Sequence, residues 1–115
     1  MAKPLLIWKK TCSTCRKARG WMLAEKAAFD EREINANPLS AKELDALIGK
    51  RDYVAFLNTR NELYRERDMK TRKPSREESL KLMAAEPNLM KRPILVIGDE
   101  RILGFDEAAF REALR

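Results

Sequence analysis

Cys12 and Cys15 are the only cysteines in this 115-residue chain, and they stand in "KKTCSTCRKAR", residues 9–19. Thiols at this spacing suit three chemistries: half of a metal site, a redox pair, or a single nucleophilic thiolate. The rest of the composition separates them. The chain has no histidine, which removes Cys-His nucleophiles, histidine general bases and histidine-ligated metals. Structural zinc takes four ligands, and two thiolates supply half of that set, so no metal is expected. A phosphatase-type loop reads C-x5-R, but counting from Cys12 the arginine position holds Ala18. A redox pair remains, against the alternative of two inert thiols.

The charge around the pair is one-sided. Residues 1–20 carry Lys3, Lys9, Lys10, Arg16, Lys17 and Arg19 and no acid, while the rest of the chain balances 18 basic against 18 acidic residues. The whole net charge of +6 therefore sits around the cysteines. Such a cluster is either a solvated face or a local field for an anion or a thiolate. It could also contact phosphates, but few aromatics interleave with it and the remainder is neutral, so nucleic acid is not the expected partner. No apolar run approaches the roughly 18 residues of a membrane span. The apolar part of "MAKPLLIWKK" is too short for a secretory signal. Two cysteines are too few for a disulfide scaffold. A cytoplasmic, monomeric protein of one domain, residues 1–115, is expected.

The elements that would position the pair can be read in chain order. "PLLIWK", residues 4–9, is a short apolar run and reads as a buried strand. The cysteines follow at once, and then a helix through Ala28, with Cys15, Ala18 and Met22 on one stripe and Trp21 alongside. "FDEREI", residues 29–34, alternates loosely and reads as a second strand. Two parallel strands need a crossover, which residues 16–28 supply. Ser40 and Glu43 make a capping box with Leu39 and Leu44 as its staple, opening a helix with Leu44, Leu47 and Ile48 that ends at Gly49. Short helices and a loop are expected over 50–70. Ser75 and Glu78 form a second capping box, and Pro87 closes the helix it opens. "RPILVIG" reads as a central strand, Asp99-Glu100 as a turn, and "RILGF" as the partner strand of a hairpin. Asp106 caps a final helix carrying Phe110, Ala113 and Leu114. The order β-α-β, helical stretch, β-β-α is an α/β layout: a thioredoxin-like four-stranded mixed sheet with an inserted helical subdomain over about 38–88.

A C-x-x-C between a strand and a helix is a redox signature with a physical basis. The first turn of a helix offers free N–H groups and about half a positive charge, both of which favour a thiolate on Cys12. Lys10, Arg16 and Lys17 would add to that field, and such settings lower a cysteine from about 8.5 into the range of roughly 3.5–7.5. Cys12 would then be the exposed nucleophile, and Cys15, one turn in, would resolve a mixed disulfide. The step Arg92-Pro93 immediately precedes a strand. By analogy with thioredoxin-like domains, Pro93 is expected in cis with its backbone beside Cys12, and Arg92 is expected to aim its guanidinium at the site. Arg60, in "LNTRNELY", is from spacing alone one surface arginine among many.

These features together resemble the arsenate reductase/Spx family. The motifs are "CSTCRKARGWM" (Cys12 to Met22), "NTR" (Asn58 to Arg60) and "NLMKRPILVIGDERILGFDEAAFREAL" (Asn88 to Leu114). They fall in the family's order over nearly the whole chain, and the terminal block is the most specific of them. The resemblance implies a thioredoxin-like sheet with a helical subdomain. It also implies that Cys12 matches the nucleophile that attacks an oxyanion, and that Arg60 and Arg92 match two of the arginines that hold it, the adduct being reduced by glutathione and glutaredoxin. Two positions depart from the arsenate pattern. The loop "KKTCSTC" lacks the Asn-x-x-Cys-Gly arrangement, and the third arginine's place holds Phe105. Spx proteins use C-x-x-C as a redox switch and bind the C-terminal domain of the RNA polymerase α subunit; "GKRDYVAF" here is shorter than the Spx segment that carries that contact.

The expected function is therefore a thiol-disulfide oxidoreductase with Cys12 as nucleophile and Cys15 resolving. Lys10, Arg16, Arg60, Arg92 and Pro93 would form an oxyanion- or glutathione-binding surround. Glutathione is the expected co-substrate, with no tightly bound cofactor, and glutaredoxin or thioredoxin the expected protein partners. The alternative is a redox-sensing transcription regulator that binds the polymerase α subunit.

Overall fold

The computed structural model describes residues 3–115. Four strands, β1 (Leu5–Trp8), β2 (Asp30–Glu33), β3 (Ile94–Ile97) and β4 (Glu100–Leu103), form one sheet in the order β2-β1-β3-β4. β1 is parallel to β2 and antiparallel to β3, and β3 and β4 make a hairpin. The helices are α1 (Ser13–Ala24), α2 (Ala41–Ile48), α3 (Glu62–Glu66), α4 (Arg76–Ala85) and α5 (Glu107–Ala113). None of them is long and apolar enough to cross a membrane. The chain divides into two compact units: the described residues up to Asn37 with Arg92–Arg115, and Pro38–Lys91.

In the first unit β1 is one of the two inner strands, and its sequence LLIW buries Leu6 and Ile7 on opposite faces of the sheet. β2 is the edge strand and reads DERE, with no apolar residue to hold it. It forms because α1 returns the chain alongside β1, where Leu6 meets Glu31 and Trp8 meets Glu33 in parallel register. α1 buries Cys15, Ala18 and Met22, the stripe its periodicity dictates. Ala18 and Met22 of that stripe pack with Leu6, Leu95 and Phe110 as the core of the unit. Trp21, Phe105 and Phe110 extend this core as edge-on or tilted rings with centroids 5.1 to 6.1 Å apart. Asp106 accepts from the Ala108 and Ala109 N–H groups and so starts α5, which carries Phe110 inward.

Two boundaries differ from the sequence reading. α1 starts at Ser13 with Cys12 as its N-cap residue, and it stops at Ala24, where Lys26 takes φ +55°. The β3–β4 turn is Gly98-Asp99, with Glu100 already paired to Ile97. Gly98 adopts φ +56°, which a glycine reaches without a Cβ clash and which moves the turn one residue earlier than Asp99-Glu100.

In the second unit the Ser40–Glu43 capping box is complete in both directions, and Gly49 ends α2 at φ +57°. Leu44, Leu47 and Ile48 of α2 and Leu80 and Met83 of α4 are buried. An Arg76–Asp45 ion pair at 2.8 Å ties the start of α4 to α2. The second capping box forms only by half. Ser75 accepts from the Glu78 N–H, while the Glu78 carboxylate turns to Arg67 at 3.7 Å. Tyr53–Phe56 form a 3-10 turn, and the Tyr53 hydroxyl donates to the Pro74 carbonyl at 2.7 Å. The unit closes where Asn58 N–H donates to Leu89 C=O and Lys91 N–H donates to Phe56 C=O, around an antiparallel bridge between Leu57 and Met90.

Candidate functional site

The site gathers at the carboxyl end of β1. The strand runs into a short loop, residues 9–12, and the loop delivers Cys12 to the start of α1. The Cys12 N–H donates back to Lys9 C=O at 2.9 Å, and Cys12 C=O accepts the Arg16 N–H at 3.0 Å. Cys12 thus has extended backbone, φ −97° and ψ 119°, at the N-cap position. Its thiol makes no side-chain cap hydrogen bond, and the Cys15 backbone N–H acts on it by favouring the thiolate. Cys12 is partly exposed, whereas Cys15 lies in the core at 0% exposure.

Arg92 reaches the same point from the other end of the chain. Antiparallel pairing of Ile7 with Ile94 puts the residues just before β3 beside the end of β1. The Arg92-Pro93 bond is cis, Pro93 is buried, and its carbonyl accepts the Gly104 N–H at 2.8 Å. From there the Arg92 guanidinium favours the Cys12 thiolate, by its charge and as a hydrogen-bond donor to the sulfur.

The two thiols are driven apart electrostatically. Burial pushes Cys12 up, but the Cys15 backbone N–H, the Cys15 thiol and the charge and hydrogen bond of Arg92 outweigh it, so Cys12 lies below the ordinary cysteine value. Burial pushes Cys15 up to about 12, against the Lys9 backbone N–H, and the adjoining Cys12 sulfur adds to the rise. One sulfur is set up to be a thiolate and the other to remain a thiol.

Most of the nominated cations do other work here. The Arg16 Nη1 donates to Lys10 C=O at 2.9 Å and so braces the loop. The Lys10 ammonium is exposed and acts on Glu33. Arg60 belongs to the second unit, exposed on the turn before α3, with its N–H held by Asn58 Oδ1 at 3.1 Å. The first unit thus brings Cys12, Cys15, Arg92 and Pro93 together with the Lys10–Arg16 loop. Glu33 was not nominated from the sequence, although its carboxylate accepts the Lys10 N–H at 2.9 Å. The signal for it was its place at the end of a strand parallel to β1. Among the described residues no group of three or more Cys, Asp or Glu side chains comes together to hold a metal ion.

The ArsC family model matches residues 7–113. The chain belongs to the ArsC family. It is 37% identical over 109 residues to the uncharacterized protein YusI of Bacillus subtilis (strain 168), covering 91% of this chain and 92% of that protein. It is 30% identical over 114 residues to the global transcriptional regulator Spx of Streptococcus pyogenes serotype M1, covering 95% of this chain and 83% of Spx. An arsenate reductase from Vibrio cholerae superposes with a TM-score of 0.83 over 99% of this chain and 100% of that one, a likeness of fold at 23% identity. The architecture is thioredoxin-like, with the cysteine pair of this ArsC-family chain at the start of its first helix. Phe105 packs against Trp21 and Phe110, so no cation stands at that position.

Proposed function

We propose that this ArsC-family chain is a thiol-disulfide oxidoreductase that uses glutathione, with Cys12 as nucleophile and Cys15 as resolving thiol. The observation that carries this reading is the opposed setting of the two sulfurs, with Arg92 on Cys12 and Cys15 buried one turn behind it. In the first step the Cys12 thiolate attacks a glutathione mixed disulfide. A Cys12–glutathione disulfide forms and the substrate leaves as a thiolate. In the second step Cys15 loses its proton and attacks the Cys12 sulfur, glutathione leaves as a thiolate, and a Cys12–Cys15 disulfide remains. Glutathione, glutaredoxin or thioredoxin then returns two electrons. Adduct formation removes the Cys12 charge that helps hold Cys15 protonated, so the first step prepares the second. Arg92 lowers both thiols and serves whichever carries the charge.

Arg92, in the unit of Cys12, suits a glutathione carboxylate or an oxyanion through bidentate guanidinium contacts, with the Pro93 backbone beside it and the loop of Lys10 and Arg16 in the same unit. Arg60, on the second unit, has the same bidentate chemistry. Phe105 in place of a third arginine argues against arsenate as the natural substrate. The reaction fits a reducing compartment such as the cytoplasm, and no tightly bound cofactor is needed. The test is turnover of a glutathione mixed disulfide. Wild type should turn over, Cys12→Ser should be inactive, and Cys15→Ser should stall as the Cys12 adduct. A wild-type Cys12 at about 8.5 with no turnover would sink the proposal.

A second reading rests on the likeness to Spx over 95% of the chain. Here the Cys12–Cys15 disulfide alters the first turn of α1 and with it a surface for the polymerase α subunit. Pull-down with the α C-terminal domain, reduced and oxidised, decides it; no binding in either state removes this reading.

A further inference from the structure

Glu33 ends the edge strand β2, a strand of four polar residues. Its carboxylate is nevertheless one of the most engaged groups near the cysteines. Oε2 accepts the Lys10 N–H at 2.9 Å and the Asn35 N–H at 3.2 Å, and Oε1 accepts the Ala36 N–H at 2.8 Å. The turn it organises sends the Asn35 amide back to the Thr11 hydroxyl at 3.4 Å. From the opposite side Arg16 holds Lys10 C=O at 2.9 Å. The Lys10 peptide is therefore held at both its N–H and its neighbouring carbonyl, two residues before the nucleophile. Beyond Lys10 the loop path is fixed by the Asn35 amide on the Thr11 hydroxyl, the Cys12 N–H on Lys9 C=O and the Arg16 N–H on Cys12 C=O.

We infer that Glu33 is a positioning residue for Cys12: its carboxylate clamps the 9–12 loop so that the Cys12 sulfur meets Arg92 and the Cys15 N–H. The inference rests on the proposed role of Cys12 as a working thiolate. Electrostatics separates positioning of the sulfur from a simple charge effect. A carboxylate near a thiol on its own disfavours the thiolate. If Glu33 were only a nearby charge, removing it would favour the Cys12 thiolate. If it positions the sulfur, removing it does the reverse. The carboxylate is itself held below its usual range. Burial works against this, and the three N–H groups with the Lys10 ammonium outweigh burial, so it stays ionised as an acceptor near neutral pH.

The side-chain chemistry separates the two roles further. Glu33→Gln loses the charge but keeps one oxygen that can accept from Lys10 and Asn35. Glu33→Asp keeps the charge but is too short by one methylene to reach Lys10. Glu33→Ala loses both. The experiment measures two things in each variant: the pH midpoint of Cys12 alkylation by iodoacetamide, and hydrogen exchange at the Lys10 amide by NMR. Positioning predicts that Glu33→Ala and Glu33→Asp raise the alkylation midpoint by about half a pH unit or more. It predicts that Lys10 exchange speeds up by about tenfold, as loss of one charge-assisted hydrogen bond implies. Glu33→Gln, which keeps an acceptor and drops the charge, should leave the midpoint at or slightly below wild type and speed Lys10 exchange less than Glu33→Ala does. An unchanged or lowered midpoint in Glu33→Asp, or an unchanged Lys10 amide, overturns the inference, and should Glu33→Ala not fold, the Gln and Asp variants still decide. The wild-type midpoint tests the oxidoreductase reading separately, because Glu33 is judged by the difference between variant and wild type whatever that value is.

Discussion

At Cys12 one effect raises the thiol and several lower it. Burial opposes the thiolate; the Cys15 N–H and Arg92 favour it and prevail. Arg92→Gln should therefore move Cys12 back up, and its alkylation near neutral pH should slow by about three- to tenfold, the equivalent of half to one pKa unit. At Cys15 the sign reverses. A buried thiol raised from 9.0 to about 12 favours folding while protonated. That contribution is complete below the unfolded value and is lost as pH rises through this window. Paired urea titrations on either side of the window should show a steeper alkaline loss in wild type than in Cys15→Ala, by at most about 1.4 kcal/mol per pH unit. The C-x-x-C and Arg92 were legible in the sequence because strand, cysteine and proline signals are local. The partner of Arg16 and the grip of Glu33 were not, because the first depends on how the 9–12 loop folds back on α1 and the second on what the β1–β2 register brings to one edge.

The elements stand on caps that the sequence announces. Ser40 accepts from Glu43 N–H while Glu43 reaches back to Ser40 N–H, and Asp106 accepts from two N–H groups of α5. Ser40→Ala and Asp106→Ala should each cost about 1 kcal/mol, seen as a lower urea midpoint at unchanged slope; a loss within experimental error would contradict the cap assignments. Helices with caps and apolar stripes were the readable part of the fold. β2 was harder, because DERE has almost no strand propensity and owes its place to β1 and α1. The hairpin turn was misplaced by one residue because Glu100 resembles a turn residue, while the conformational need is met by Gly98. Glu78 could not be read either, since Arg67 competes for its carboxylate from a segment with no clear pattern.

At the scale of the molecule, the first unit is an apolar core with a charged rim, and the site sits where the core meets that rim. Phe110 is fully buried against Leu6, Met22 and Leu95, with Trp21 and Phe105 around it. Phe110→Ala should cost about 3–5 kcal/mol, a large share of the roughly 5–15 kcal/mol that holds such a domain together. Chemical denaturation would show it, and a loss under 1 kcal/mol would mean that α5 is not part of the core. The net charge of +6 concentrates near the cysteines, but its members brace the loop and pair with acids on β2 rather than crowding the thiol. Arg19, for example, lies 5.0 Å over the Trp8 ring and pairs with Glu31 at 2.6 Å. The cation on Cys12 is supplied instead by Arg92, through the β1–β3 pairing.

The central claim is that Cys12 attacks and Cys15 resolves. Intact mass spectrometry after challenge with glutathione disulfide near neutral pH tests it most directly. Cys15→Ser should gain one glutathionyl group on Cys12, wild type should pass to a form lacking two hydrogens and free of glutathione, and Cys12→Ser should stay unmodified. Glutathione found on Cys15, or a wild-type protein left unmodified, would contradict the account.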